Sequence, residues 1–137
     1  MSTVGYSKPL PLLTKLNAPF WEGTKQGELR LQKCNDCGHF WFPPSAHCQR
    51  CISRNYEWAT VSGRGKVWSW IVMHQRYFKE FEDDLPYVVA FIELEEGPMM
   101  MSTLVEVDRD DISCDMPVTA VFEDATEEMA VPKFRPT

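Results

Sequence analysis

No apolar run in this chain is long enough to cross a bilayer. The longest mainly apolar stretches, such as residues 87–92, fall far short of the roughly 20 residues that a spanning helix needs. The N-terminus also lacks a basic flank followed by an apolar run, the mark of a secretory leader. The expectation is a soluble cytoplasmic protein in a reducing compartment, where persistent disulfides do not form. Histidine is scarce, with three in the chain and only His74 outside the segment 34–51. No Ser-His-Asp set can be assembled, and the carboxylates gather in turns such as Asp83-Asp84 and Asp110-Asp111, as solvated faces do. His74 reads as a satisfied strand histidine rather than a general base, and a free-standing hydrolase or aldolase lacks its catalytic groups. Excess positive charge is missing too. The net charge of -6 divides into +3 over residues 1–58 and -9 over residues 59–137. An acidic surface of that size repels a phosphate backbone, so nucleic acid is a poor partner for the larger part.

What the chain does have is four cysteines in a C-x2-C-x10-C-x2-C array: Cys34, Cys37, Cys48 and Cys51. Each C-x-x-C pair places two thiolates on one tight turn, and two facing turns complete a four-sulfur shell around zinc. Zinc held that way has no position open to substrate, so the site reads as a structural staple for a segment too small to bury its own core. A rubredoxin-like iron uses the same sulfur set. Gly38 follows the first pair, where such a turn favours a residue tolerant of positive φ, whereas Ile52 follows the second. His39 and His47 flank the pairs and read as surface or packing residues. Cys114 has no partner and reads as a small hydrophobe.

The composition, 44% hydrophobic and 25% charged over 137 residues, fits one ordinary domain with a small appendage. Three regions are expected: an N-terminal arm and helix over 1–27, a zinc ribbon over 28–58, and a β-rich domain over 59–137. Residues 1–16 show no clear period, but Leu10, Leu12, Leu13 and Leu16 argue against a simply solvated tail. Asn17 as N-cap, Pro19 in the first turn and Gly27 as the stop predict a short helix. Leu29 and Leu31 on one face predict a strand running into the first cysteine pair. Further strands are expected at 66–74, 87–94, 99–107, 118–123 and 131–135, with one helical turn near 110–112. In the first of these, Val67, Ser69, Ile71 and Met73 alternate with Trp68, Trp70, Val72 and His74, and both faces are apolar enough to predict cover on both sides. Five short strands with one polar insertion predict a small OB-type barrel. A β-sandwich fragment is the competing architecture.

The order of motifs carries a resemblance. Pro19-Phe20-Trp21-Glu22-Gly23, Glu28-Leu29-Arg30-Leu31, the C-x-x-C-G knuckle at Cys34, Phe42-Pro43-Pro44, Cys48 to Cys51, Ser62 to Val67, Leu85 to Ala90 and the closing Val131 to Pro136 follow one another from residue 17 onward. In that order they resemble the acyl-CoA-associated zinc-ribbon and OB-fold family known as domain of unknown function thirty-five. The resemblance implies a rubredoxin-like ribbon joined to a five-stranded OB barrel. It implies an accessory subunit that docks on a thiolase-fold or lipid-transfer-protein-like enzyme and shapes its acyl-CoA channel. Thiolytic or retro-aldol removal of side chains from steroid-like or fatty acyl-CoA thioesters is the implied setting, and the chemistry belongs to the partner. The second knuckle departs from the family pattern, since it lacks the glycine after its last cysteine.

Several residues suit an acyl-CoA ligand. Arg64 and Lys66, set by Gly63 and Gly65 in a permissive turn, suit the CoA phosphates; Trp68, Trp70 and Tyr87 suit the wall of an apolar acyl or sterol-like pocket. Each also fits a plain structural role, the two cations as an ordinary basic strand start and the aromatics as barrel core. Met99-Met100-Met101 offers an adaptable strand or simple barrel filling. Phe20, Trp21 and Trp41 are expected to bury against the enzyme partner. The alternative function is single-stranded nucleic-acid binding, which OB barrels and zinc ribbons both perform.

Overall fold

Helix α1 (Ala18–Lys25) opens the ordered architecture in a computed structural model that describes residues 8–137. Residues 1–7 of the expected arm lie outside the described residues. Asn17 stands at the N-cap position but caps no helix amide. Its Oδ1 instead accepts from Thr14 N at 2.8 Å, and its Nδ2 donates to Leu12 O at 2.9 Å. The residue predicted to start the helix therefore pins the arm that precedes it. Gly27, at φ 76°, ends the helix as expected.

The chain then builds two sheets. Strands β1 (Leu29–Cys34), β2 (Phe40–Trp41) and β3 (Tyr56–Val61) form an antiparallel ribbon in the order β2-β1-β3. The ribbon sheet continues to Val61, which pairs with Leu29. Strands β4 (Arg64–Met73), β5 (Tyr87–Leu94), β6 (Met99–Ser102), β7 (Pro117–Asp124) and β8 (Ala130–Pro136) form the second sheet, in the order β6-β5-β4-β7-β8. This sheet curls until its ends meet. Beyond β6 the chain forms a parallel bridge from Leu104 to Phe134, with Val105 N donating to Phe134 O at 2.8 Å and Phe134 N to Thr103 O at 3.0 Å. Those bonds favour the OB barrel over a sandwich fragment. They also explain why β6 ends at Ser102 and not near residue 107: the chain leaves β5 to reach β8. The insertion between β4 and β5 carries a 3-10 turn at Lys79–Asp84, and the expected turn near 110 is Arg109–Asp111.

One core joins helix, ribbon and barrel. Phe20, Leu29 and Leu31 pack in a single cluster with Val67, Ile92, Met100, Val118 and Phe134, all essentially withdrawn from solvent. Leu29 and Leu31, each contributing roughly 1.5–3 kcal/mol by burial, join the ribbon to the barrel's core. Trp41 lies in a second cluster with Cys34 and Cys48, beside Tyr56. The expectation that Phe20, Trp21 and Trp41 bury against a partner is thus corrected: Phe20 and Trp41 are 3% and 2% exposed, and Trp21 is half-buried against Phe20. An aromatic-rich segment beside a small sheet has its own protein to cover it.

The faces of β4 are also corrected. Val67 pairs with Ile92 and Ser69 with Phe91, so two steps on β4 match one on β5, and Trp68 is the extra residue of a β-bulge. The bulge breaks the alternation. Val67 points into the barrel and Trp70 packs against the core, whereas Trp68 and Ile71 are each 56% exposed. The strand is covered on one side, not two. Gly65 is needed for packing at its start, since a Cβ there would stand 2.6 Å from Glu93 O.

Candidate metal centre and apolar surfaces

Cys34 ends β1, Cys37 lies on the turn that follows, and Cys48 and Cys51 sit on the loop between β2 and β3. Their four Sγ atoms all lie within 4.8 Å of one another. The Cys34–Cys51 and Cys37–Cys48 separations are 3.5 and 3.6 Å. A regular tetrahedron with Zn–S of about 2.3 Å has edges of about 3.8 Å, so the donor set fits zinc. When bound, zinc there supplies a closed four-thiolate crosslink and no open coordination position.

The two knuckles are built alike. Gly38 N donates to Cys34 O and Ile52 N to Cys48 O, each at 3.0 Å. Gly38 has φ 77° and Ile52 φ 68°. Ile52 therefore holds the left-handed conformation that glycine holds in the first knuckle, and the departure noted in the sequence leaves the turn geometry intact. Asp36 N donates to the Cys34 sulfur at 3.4 Å, and Arg50 N to that of Cys48 at 3.3 Å. Burial opposes ionisation of Cys34 and Cys48, but backbone N–H groups outweigh it. Both thiols are lowered, Cys48 to about 6, while Cys37 and Cys51 beside them are raised, Cys51 to about 12. Amide donors aimed at sulfur favour the thiolate, the form that binds metal. Across the site Asn35 N donates to Asn55 O at 2.9 Å, and Ser53 Oγ donates to Asp36. His39 stacks on Trp41, and His47 Nε2 accepts from Arg54 Nε at 3.1 Å, so both histidines have other partners. A buried clamp that sequence reasoning missed holds the approach to the second knuckle. Gln32, 1% exposed, donates to Ser45 O at 2.7 Å and accepts from Ser45 N at 2.9 Å.

The five residues expected to meet acyl-CoA do not converge. Arg64 forms a fork with Glu95, Nε to Oε2 at 2.9 Å and the second contact at 3.3 Å, and the pairing lowers the Glu95 pKa and raises that of Arg64. Lys66 sits 3.7 Å from both Glu93 and Asp115. Trp68 stands outside the barrel, edge-on to Phe91 with ring centroids 6.4 Å apart. With Ile71, Phe91 and Met101 it forms an exposed apolar face across β4, β5 and β6. Trp70 is turned to the core. Tyr87 lines a cavity of about 830 Å³, together with Phe20, Trp21, Phe42, Val88, Met100 and Leu104, with Pro9 and Pro11 of the arm on one side and Met101 at its edge. The Met99–Met101 triplet divides: Met100 fills the barrel at 2% exposure and Met101 is 60% exposed. The outer apolar face was hidden in the sequence because a bulge leaves no mark in an alternating pattern.

A four-cysteine ribbon sharing its core with an OB barrel defines a zinc-ribbon OB-fold protein. Residues 21–57 match the family model described as ChsH2, rubredoxin-like zinc ribbon domain, and residues 58–123 match ChsH2, C-terminal OB-fold domain. A DUF35 domain-containing scaffold protein of Methanocaldococcus jannaschii is 37% identical over 70% of this chain and 68% of its own length. A probable enoyl-CoA hydratase alpha subunit of Thermomonospora curvata is 36% identical over 94% of this chain, which spans 40% of that relative's length. Among solved structures, a chain of the Ltp2-ChsH2(DUF35) aldolase superposes with TM-score 0.81 at 36% identity, covering 93% of this chain and 98% of its own. The chain belongs to the DUF35 family of ChsH2-type zinc-ribbon and OB-fold proteins. No helix among the described residues is long and apolar enough to cross a membrane.

Proposed function

We propose that this chain is an accessory subunit that contributes no catalytic group of its own. It docks on a thiolase-fold or lipid-transfer-protein-like enzyme and shapes that enzyme's acyl-CoA channel, in steroid or fatty acyl side-chain degradation. The observation that carries the docking is the apolar face of Trp68, Ile71, Phe91 and Met101, each at least 39% exposed on adjoining strands. A contiguous apolar patch on a small soluble domain favours a protein interface. The relatives support the role: one bears the name of a scaffold, one that of a hydratase subunit, and one solved neighbour is a chain of the Ltp2-ChsH2(DUF35) aldolase. The ion-paired Arg64 and Lys66 direct the proposal away from a phosphate cradle on this chain, toward CoA held mainly by the enzyme.

The test is gentle affinity recovery of the tagged protein from its host, with mass spectrometry of what accompanies it. A thiolase-fold enzyme at near-equal stoichiometry is the expected result. Ile71→Glu and Phe91→Glu should each cut that recovery roughly tenfold while leaving metal content and thermal midpoint near those of the parent. Recovery of the protein alone overturns the docking, and undiminished recovery with both variants removes this face from it.

A further inference from the structure

We infer that the cavity between the N-terminal arm, helix α1 and the closing seam of the barrel is a binding site for the apolar body of an acyl group. A long hydrocarbon chain or a fused-ring skeleton suits it. The inference deepens the acyl-CoA reading and rests on it, but the cavity belongs to this chain alone, so it is testable without the partner.

Three observations fix the ligand class. The first is size: about 830 Å³ lies within the roughly 300–1,000 Å³ of small-molecule sites. The second is the chemistry of the walls. Phe42, Met100, Leu104 and Val107 present carbon, Trp21 and Tyr87 bring broad aromatic faces with one polar atom each, the Trp21 Nε1 having no hydrogen-bond partner among the described residues, and the Ser102 and Thr103 hydroxyls are already engaged. Ser102 Oγ donates to Pro132 O at 3.0 Å and Thr103 Oγ1 to Val88 O at 2.6 Å. Two rim cations are matched on the protein, Lys8 with Asp84 at 2.9 Å and Lys133 with Glu123 at 3.1 Å, and the rim also carries Asp108 and Arg109. A polyanion finds Arg109 alone to pair with there, whereas an apolar body suits the carbon walls.

The third observation is the roof. Pro9 and Pro11 cover one side of the cavity, and the Lys8 ammonium ties this strap to the barrel insertion through Asp84 and the face of Phe81, 5.7 Å away. Proline presets the backbone, so the strap keeps its shape with little loss of chain freedom. A thioester held here would bury its hydrocarbon beneath the strap and leave its CoA portion outside, available to an enzyme.

The experiment is fluorescence titration of the full zinc-loaded chain with a conjugated polyene fatty acid, competed by oleate and by a 3-keto steroid. The expected result is saturable binding of about one probe per chain, displaced by at least one competitor. Val107→Trp, which fills the cavity from its half-buried edge, should weaken binding roughly tenfold. Tyr77→Ser removes an exposed aromatic outside the cavity and should leave the affinity unchanged. Circular dichroism of each variant separates loss of binding from loss of fold; if Val107→Trp unfolds, Pro11→Arg provides the same block at the roof. Non-saturable probe uptake, or saturable binding that neither cavity variant weakens, overturns the inference. A stoichiometric enzyme recovered from the host despite either result would leave the docking standing, so the two failures are distinguishable.

Discussion

Replacing Ile52 by glycine should stabilise the protein. Ile52 holds φ 68° after the last cysteine, the position that Gly38 occupies with φ 77° in the first knuckle. An L-residue in that region costs roughly 1–2 kcal/mol, and β-branching places Ile52 at the upper end. Glycine removes the strain but adds about 0.5–1 kcal/mol of unfolded-state freedom. Ile52 is 74% exposed, so its removal forfeits little apolar burial. The balance is a gain of about 1 kcal/mol, or a rise of about 3–4 °C in Tm for a domain of this size. Scanning calorimetry of the zinc-loaded protein measures it directly, and competition with a chromophoric chelator reports whether metal affinity rises in parallel. The mirror change, Gly38→Ile, should lower Tm by a similar or larger amount. A lower Tm for Ile52→Gly would refute the reasoning, because it would show that the isoleucine side chain contributes more than its backbone strain costs.

Cys51→Ser should lower metal content and soluble yield together, and a variant that folds normally without metal would remove the staple role. Acidification should release zinc as the thiolates protonate, followed by metal analysis after dialysis across a pH series. Gly65→Ala should destabilise by about 1–3 kcal/mol, because its Cβ would meet the backbone oxygen of Glu93 and not a yielding side chain; an unchanged denaturation midpoint would contradict the close approach of β4 and β5. Pairing with Arg64 lowers the Glu95 pKa, so its stabilisation is present above the unfolded value near 4.5 and is lost as pH falls through the folded value. Glu95→Gln should accordingly be slightly less stable than the parent at neutral pH and converge with it in acid. Single-stranded DNA should bind weakly with little salt dependence, and tight binding that falls steeply with salt would revive the nucleic-acid reading.

The metal centre was legible because coordination chemistry acts through residue type and spacing, and both are printed in the sequence. Strand β5 was legible for a similar reason: its apolar run is bounded by Pro86 and by the Glu95-Glu96-Gly97 turn. The acyl-CoA candidates were less so. Arg64 and Lys66 read as suiting CoA phosphates because their partners, Glu95, Glu93 and Asp115, are 27 or more positions away in the chain and reach them only through strand pairing and the turn before β7. Trp68 and Trp70 read as one wall because period-two alternation assumes a regular strand, and the bulge at Trp68 invalidates it. Gly65 read as freedom in a turn, while the structure uses its missing side chain for space. Of the cavity only Tyr87 was named in advance as a wall residue, since the other walls come from the arm, the helix, the ribbon and four barrel strands.

The continuity of the core decides what the zinc stabilises. Leu29 and Leu31 on β1 are buried among barrel residues, while Cys34 at the end of the same strand anchors the metal site. Thr24 on α1 accepts from Ala130 N of β8 at 3.1 Å, a bond across 106 positions of sequence. Loss of metal would free the knuckles first, but strand β1 transmits the disturbance into the packing of Phe20, and Phe20 and Trp21 wall the cavity. A structural ion bound outside the barrel would in this way influence an apolar space that it does not touch. The consequence is measurable: chelation under conditions where the barrel stays folded should weaken probe binding in the cavity, while the exposed face of Trp68, Ile71 and Phe91, carried by β4 and β5 alone, keeps its arrangement.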